Sequence, residues 1–105
     1  MDRVERTLRR FALNDEHSLR VALADPGSAS DLDAKTQALI RLGALLAVGA
    51  ETVSVRCTVE MATAAGATDD EIVGVLLAIA PAVGNARVVG VAPRLGLALG
   101  YDFDA

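Results

Sequence analysis

The 105-residue chain has one cysteine, one histidine, no tryptophan and only three aromatic residues, and each scarcity removes a class of chemistry. Cys57 alone can form neither an intramolecular disulfide nor a Cys-x-x-Cys couple, and it is too little for a cysteine-based zinc site. His17 alone cannot establish a metal site either, and beside Asp15 and Glu16 it reads as a solvated side chain. Phe11, Tyr101 and Phe103 leave positions 12 to 100 without a ring on which a base, flavin or sugar could stack. Positive charge is scarce as well. Ten Lys or Arg against fourteen Asp or Glu give a net charge of −4, with no basic block to follow a phosphate backbone, so nucleic acid is not an expected partner. The longest uncharged run, Ile72 to Ala86, holds fifteen residues including Pro81, Gly84 and Asn85, which is too short to span a bilayer. The first six residues mix both charge signs without an apolar stretch, so no secretory or transit peptide is expected; the reading is a soluble, cytoplasmic protein.

What is present is apolar and helical in period. Hydrophobic residues make up 52% of the chain, enough for one compact domain and too short a chain for two, so a single domain over 1–105 is expected. Val4, Leu8 and Phe11 recur at i, i+4, i+7 among Arg3, Arg6, Arg9 and Arg10, predicting an amphipathic helix over about 2–14. A second, over about 16–24, carries Leu19 and Leu23. Turn-forming residues from Asp25 to Ser30 then open a linker over 25–32. Asp33 is a good N-cap for a third helix, with a stripe of Leu39, Leu42, Leu45 and Leu46, until Gly49 supplies a left-handed stop.

The next segment carries two signals. Val53, Val55, Cys57, Val59 and Met61 alternate with polar residues, as in a half-buried strand. No other stretch offers a pairing partner, and Ala62 to Gly66 reads as a helix entering its C-cap, so a helix over about 51–65 is expected. Thr68 and Glu71 match a capping box, with Asp69 and Asp70 complementing the positive end of a fifth helix. Pro81 is expected to end that helix near Ala80, and Pro93 to kink a sixth over about 85–99. Between Ile72 and Tyr101 the only charges are Arg87 and Arg94. Two helices apolar around most of their circumference cannot be enclosed by so small a chain, which predicts burial between subunits of a homo-oligomer.

The Leu32-Asp33-Ala34-Lys35 helix start, the Ala62-x-x-x-Gly66-Ala67-Thr68-x-x-Glu71-Ile72 junction and the Gly84-Asn85-Ala86-Arg87 turn together resemble the carboxymuconolactone decarboxylase and alkylhydroperoxidase D-like family. The likeness covers about residues 32–100, a family-like core over 33–100. It implies an all-α fold of about six helices with a central antiparallel helix pair, commonly assembled as trimers or hexamers. The peroxidase branch carries Cys-x-x-Cys-x-x-x-His before the Gly-Ala-Thr turn. Counted back from Gly66, this chain has Glu51, Ser54 and Thr58 there, and Ala38 where a proton-relaying Glu often stands. Disulfide peroxidase chemistry needs an activated thiolate and a resolving sulfur, and Cys57 is out of register with both positions. The decarboxylase branch usually has His at the Thr58 position, so activity on the namesake substrate is expected to be poor or absent, a positioned acid being worth about 10²- to 10⁴-fold.

The candidate catalytic residues are therefore Glu51, Ser54 and Thr58, spaced to share one helix face or to form an ordinary polar one. Arg56, Arg87 and Arg94 are candidate anchors for a small carboxylate ligand; the competing readings are an Arg56–Glu60 pair across one turn and rim salt bridges for the other two. Cys57 is either a single redox thiol or, flanked by Val53 and Met61, a small buried hydrophobe. No metal and no cofactor is called for. The expectation is a divergent family member that binds a small organic acid or acts as a lyase; the alternatives are a non-catalytic homo-oligomerisation module and a single-cysteine thiol redox protein.

Overall fold

In the computed structural model, residues 2–24 and 31–102 are described. They form six helices: α1 (Arg3–Ala12), α2 (Glu16–Ala24), α3 (Ala34–Val48), α4 (Thr52–Ala64), α5 (Asp69–Val83) and α6 (Asn85–Ala98). No strand occurs among the described residues, so the alternating 51–61 segment is helical. Its β-branched residues are stiff rather than forbidden in a helix, and tertiary packing decides between the two periods. The chain divides into two compact units, Met1–Leu32 and Asp33–Ala105. The expected linker segment Asp25–Ser30 lies outside the described residues.

In the first unit, Asp2 caps α1 by accepting the Glu5 amide at 2.8 Å. Asn14 turns the chain with a left-handed φ of 58°, a conformation Asn tolerates better than most residues. Asp15 then accepts from both the Ser18 amide and the Ser18 hydroxyl at the start of α2, which holds its carboxyl below the ordinary range. Arg3 forms a two-pronged contact with Asp31, at 3.0 and 3.2 Å. Neither helix buries a single residue.

The second unit is built on α3 and α4, joined through a three-residue turn and therefore antiparallel, with α5 against α3 and α6 against α4. Each end is set by local chemistry. The Asp33 carboxylate accepts the Thr36 amide at 2.7 Å, which lowers its pKa. Gly49, at φ 73°, closes α3: its amide bonds Leu46 O and the Ala50 amide bonds Leu45 O at 2.9 Å, satisfying carbonyls the helix leaves over. The α5 start is a complete capping box: Glu71 N donates to Thr68 Oγ1 at 3.1 Å and Thr68 N donates to Glu71 Oε1 at 3.0 Å. Lys35 Nζ joins the other Glu71 oxygen at 3.0 Å, tying α3 to α5 at their N-terminal ends. Both contacts, the Thr68 amide first, hold the Glu71 carboxyl below its ordinary range. The core is aliphatic, with Leu42, Leu46, Val55 and Ile72 fully buried and Val91 nearly so.

Pro81 does not end α5, which continues to Val83. Proline withholds one amide from the Leu77 carbonyl, and Leu77 is 69% exposed; Gly84 N still reaches Ala80 O at 3.0 Å. Pro93 likewise sits inside α6. Along the apolar α5 and α6, Val73, Leu77, Val89 and Leu97 are all exposed.

Candidate functional site

The α4 positions suggested by the family motif differ in burial. Glu51 is the α4 N-cap residue in extended conformation, its side chain exposed and making no capping bond. Ser54 is exposed. Thr58 points inward, 8% exposed, and its hydroxyl donates to the Ser54 carbonyl at 3.1 Å, the back-bond of a threonine inside a helix. Of the three, Thr58 is buried against the core, while Glu51 and Ser54 are exposed. Ala38, at the family's Glu position, is packed in the core.

Cys57 is exposed, not a buried hydrophobe, and so are its neighbours at helical spacing, Val53 and Met61. The helix buries Val55, Thr58, Val59 and Ala62 instead. Two residues of helix carry a side chain about 200° around the axis, so facing Val55 inward turns Cys57 outward. Arg56 and Glu60 form no ion pair among the described residues. His17 is exposed, at the edge of an open cavity of about 200 Å³ lined also by Phe11 and Val21 in the first unit. Among the described residues no three His, Cys, Asp or Glu side chains are grouped to hold a metal ion.

The two α6 arginines do come together, and they do so at the α3–α4 turn. Arg94 Nη1 donates to Gly49 O at 2.8 Å and to Ala50 O at 2.9 Å. The contact places a cation at the negative end of α3, where the helix dipole favours it. Arg87 extends to the same turn, its guanidinium lying where a Cβ on residue 49 would be; the positive φ is what calls for glycine there, since the tip of a flexible arginine can move aside. Arg87 makes no hydrogen bond or ion pair among the described residues. Three residues after Gly49 the chain enters α4, whose N-cap residue, Glu51, makes no side-chain cap bond. Chemically the turn gathers an unpaired guanidinium, a second one braced on carbonyls, and a helix start whose N-cap residue is the exposed Glu51, leaving the first-turn amides without a side-chain acceptor. Gly49 reads in the sequence only as a helix stop. Its contact with Arg87 spans 38 positions and leaves no local signal.

A second feature without any sequence signal is an open apolar groove of about 520 Å³ between α3 and α5, lined by Thr36, Leu39, Ile40, Gly43, Ala44, Val75, Ala78 and Ile79. Gly43 admits the close approach, since a Cβ there would meet Val75 at 3.3 Å.

No curated protein and no solved structure shows significant similarity to the chain. The profile of the carboxymuconolactone decarboxylase family matches residues 18–94, from within α2 to Arg94 of α6. With that match covering most of its length and an all-helical fold to accompany it, the chain belongs to the carboxymuconolactone decarboxylase family.

Proposed function

We propose that this family member binds a small organic carboxylate at the α3–α4 turn, with Arg87 as the anchor and Arg94 as the brace of the turn. The observation that carries the reading is the Arg87 guanidinium, unpaired among the described residues and seated against Gly49 beside an uncapped helix start. A carboxylate there receives a charge-assisted bond from the guanidinium and further bonds from first-turn amides of α4, the arrangement helix N-termini offer to anions. Arg56 is exposed on α4 and serves at most as a peripheral charge. The chemistry at the site is binding first. Thr58 has committed its hydroxyl to Ser54 O and is no acid near neutral pH, so turnover of the namesake lactone is slow or absent, and a single thiol supplies no disulfide peroxidase couple.

Calorimetric titration with four- to six-carbon dicarboxylates tests this in the wild-type chain and in Arg87→Gln. Charged hydrogen bonds of about 1.5–3 kcal/mol translate into a roughly ten- to hundredfold weaker affinity in the variant. Equal affinities, or no heat from any of the acids, refute the reading.

Exposed Val73, Leu77, Val89 and Leu97 on α5 and α6 favour a second reading, a homo-oligomer whose main purpose is assembly. Sedimentation at micromolar concentration decides it, a monodisperse monomer being the contrary result. The exposure of Cys57 leaves a single-thiol redox role as a third, and failure of a thiol reagent to label the folded chain removes it.

A further inference from the structure

Helix α1 carries four arginines against one glutamate, and the arginines of the first unit differ in what they pair with. Arg3 holds Asp31 through two bonds, and Arg20 of α2 holds Glu16 at 2.6 Å. Arg6 and Arg9 form no hydrogen bond or ion pair among the described residues. Glu5 stands four residues before Arg9, in the favourable order, and still does not engage it. Arg6, Arg9 and Arg10 are spaced i, i+3, i+4 on one helix face, and with Leu13 and Asp15 they line an open hollow of about 350 Å³. The helix dipole favours cations in the last turn, which accounts for Arg9 and Arg10. It does not account for Arg6, a turn earlier, where like charges three and four positions apart repel.

The amount of charge narrows what fits. Asp15 is the one carboxylate lining the hollow, and it accepts the Ser18 amide at 3.0 Å and the Ser18 hydroxyl at 2.7 Å, bonds that keep it ionised. Three guanidinium groups beside one carboxylate leave two positive charges unanswered. A phosphate monoester carries about two negative charges near neutral pH and directs its free oxygens three ways, which suits donors arriving from three side chains. A carboxylate brings a single charge and two oxygens in one plane. Arg10 also borders the neighbouring cavity of about 200 Å³, where Phe11 and Val21 form an apolar wall and His17 stands at the edge. One arginine common to a cationic hollow and an apolar one joins a place for an anionic head to a place for an organic group.

We propose that the first unit carries a binding site for a small organic phosphate: Arg6, Arg9 and Arg10 grip the dianionic head, and the wall of Phe11 and Val21 receives an apolar ester group. The site uses residues 6–22 alone and is independent of the carboxylate site at the α3–α4 turn.

Phenyl phosphate is the probe, in a nitrogen-15 NMR titration of the full-length chain at about pH 7.5. It shifts the Nε–H signals of Arg6, Arg9 and Arg10 and leaves those of Arg3 and Arg20, each already paired, in place. Benzoate, the same ring with a carboxylate, binds there at least roughly tenfold more weakly. The double variant Arg6→Gln/Arg9→Gln loses at least about tenfold in affinity for phenyl phosphate, circular dichroism confirming its helix content, whereas Arg20→Gln binds as the wild type does. The Arg87 Nε–H signal reports the carboxylate site separately in the same spectra, so either site can fail without the other. Shifts spread evenly over all arginines, equal affinity for phenyl phosphate and benzoate, or a double variant that binds like the wild type overturn the proposal. So does retention on phosphatidylcholine vesicles containing phosphatidic acid without any response to phenyl phosphate, which makes the three arginines a lipid-surface contact instead.

Discussion

Replacing Thr68 by Ala tests how the junction between α4 and α5 is held. Thr68 Oγ1 accepts the Glu71 amide at 3.1 Å, and with it gone an orphan donor at the α5 start turns to water. Loss of such a cap costs about 1 kcal/mol, with a range of roughly 0.5–2. The reciprocal bond from Thr68 N to Glu71 Oε1 remains possible in the variant, since it uses the backbone, which places the expectation near the middle of the range. Urea unfolding followed by far-ultraviolet circular dichroism at fixed protein concentration reads the effect. With a slope of about 1–2 kcal/mol per molar urea, the midpoint falls by about 0.5–1 M while the slope stays unchanged. Thr68→Ser keeps the acceptor and stays within a few tenths of a kcal/mol, roughly, of the wild type. An Ala variant with an unmoved midpoint, or a Ser variant as weak as Ala, shows that the hydroxyl does not hold the helix start.

Gly49→Ala forces a side chain into the left-handed region at φ 73° and drives the Arg87 guanidinium away; stability falls by about 1–2 kcal/mol and dicarboxylate affinity falls with it, both measurable in one thermal-shift series with and without ligand. Leu42→Ala, at a fully buried position between α3 and its neighbours, costs about 2–5 kcal/mol, lowering the thermal midpoint by more than about 10 °C. Asp15, Asp33 and Glu71 all have carboxyl pKa values depressed by amide or hydroxyl donors. A depressed acid binds fewer protons folded than unfolded, so its stabilisation is present above the ordinary carboxylate range and is lost as pH falls through the lower folded value. The thermal midpoint therefore declines below about pH 4.5, and Glu71→Gln flattens part of that decline; a midpoint that rises on acidification contradicts the assignment.

The elements that the sequence made legible are those whose signals are local. Asp33 before an apolar stripe, Gly49 after it and Thr68 three residues before Glu71 mark ends whose bonds close within one turn, and the helices begin and stop there. The assignment of α4 as helix required a non-local argument, the lack of a strand to pair with, and the fold agrees with it. The face of α4 that turns inward was not legible, because Val53, Val55, Cys57, Val59 and Met61 put apolar side chains on every side. Only the positions of α3 and α6 select Val55 and Val59 over Cys57. Pro81 reads as a stop in the sequence, yet it stands in the last turn of α5, where the helix has only two more residues to run and loses a single amide bond to Leu77 O. Arg87 and Arg94 read in the sequence as candidate anchors, but their meeting point, the turn at Gly49 and Ala50, lies 38 to 45 residues away and emerges only from the packing of α6 on α4.

The most direct measurement is a nitrogen-15 NMR titration of the wild-type chain with a saturating small dicarboxylate, resolving backbone amides and the arginine Nε–H signals. Carboxylate binding at the α3–α4 turn shifts Arg87 Nε–H and the amides of Gly49 through Ser54, and these shifts are lost in Arg87→Gln. Shifts confined to other helices, or no shifts at any concentration, contradict it.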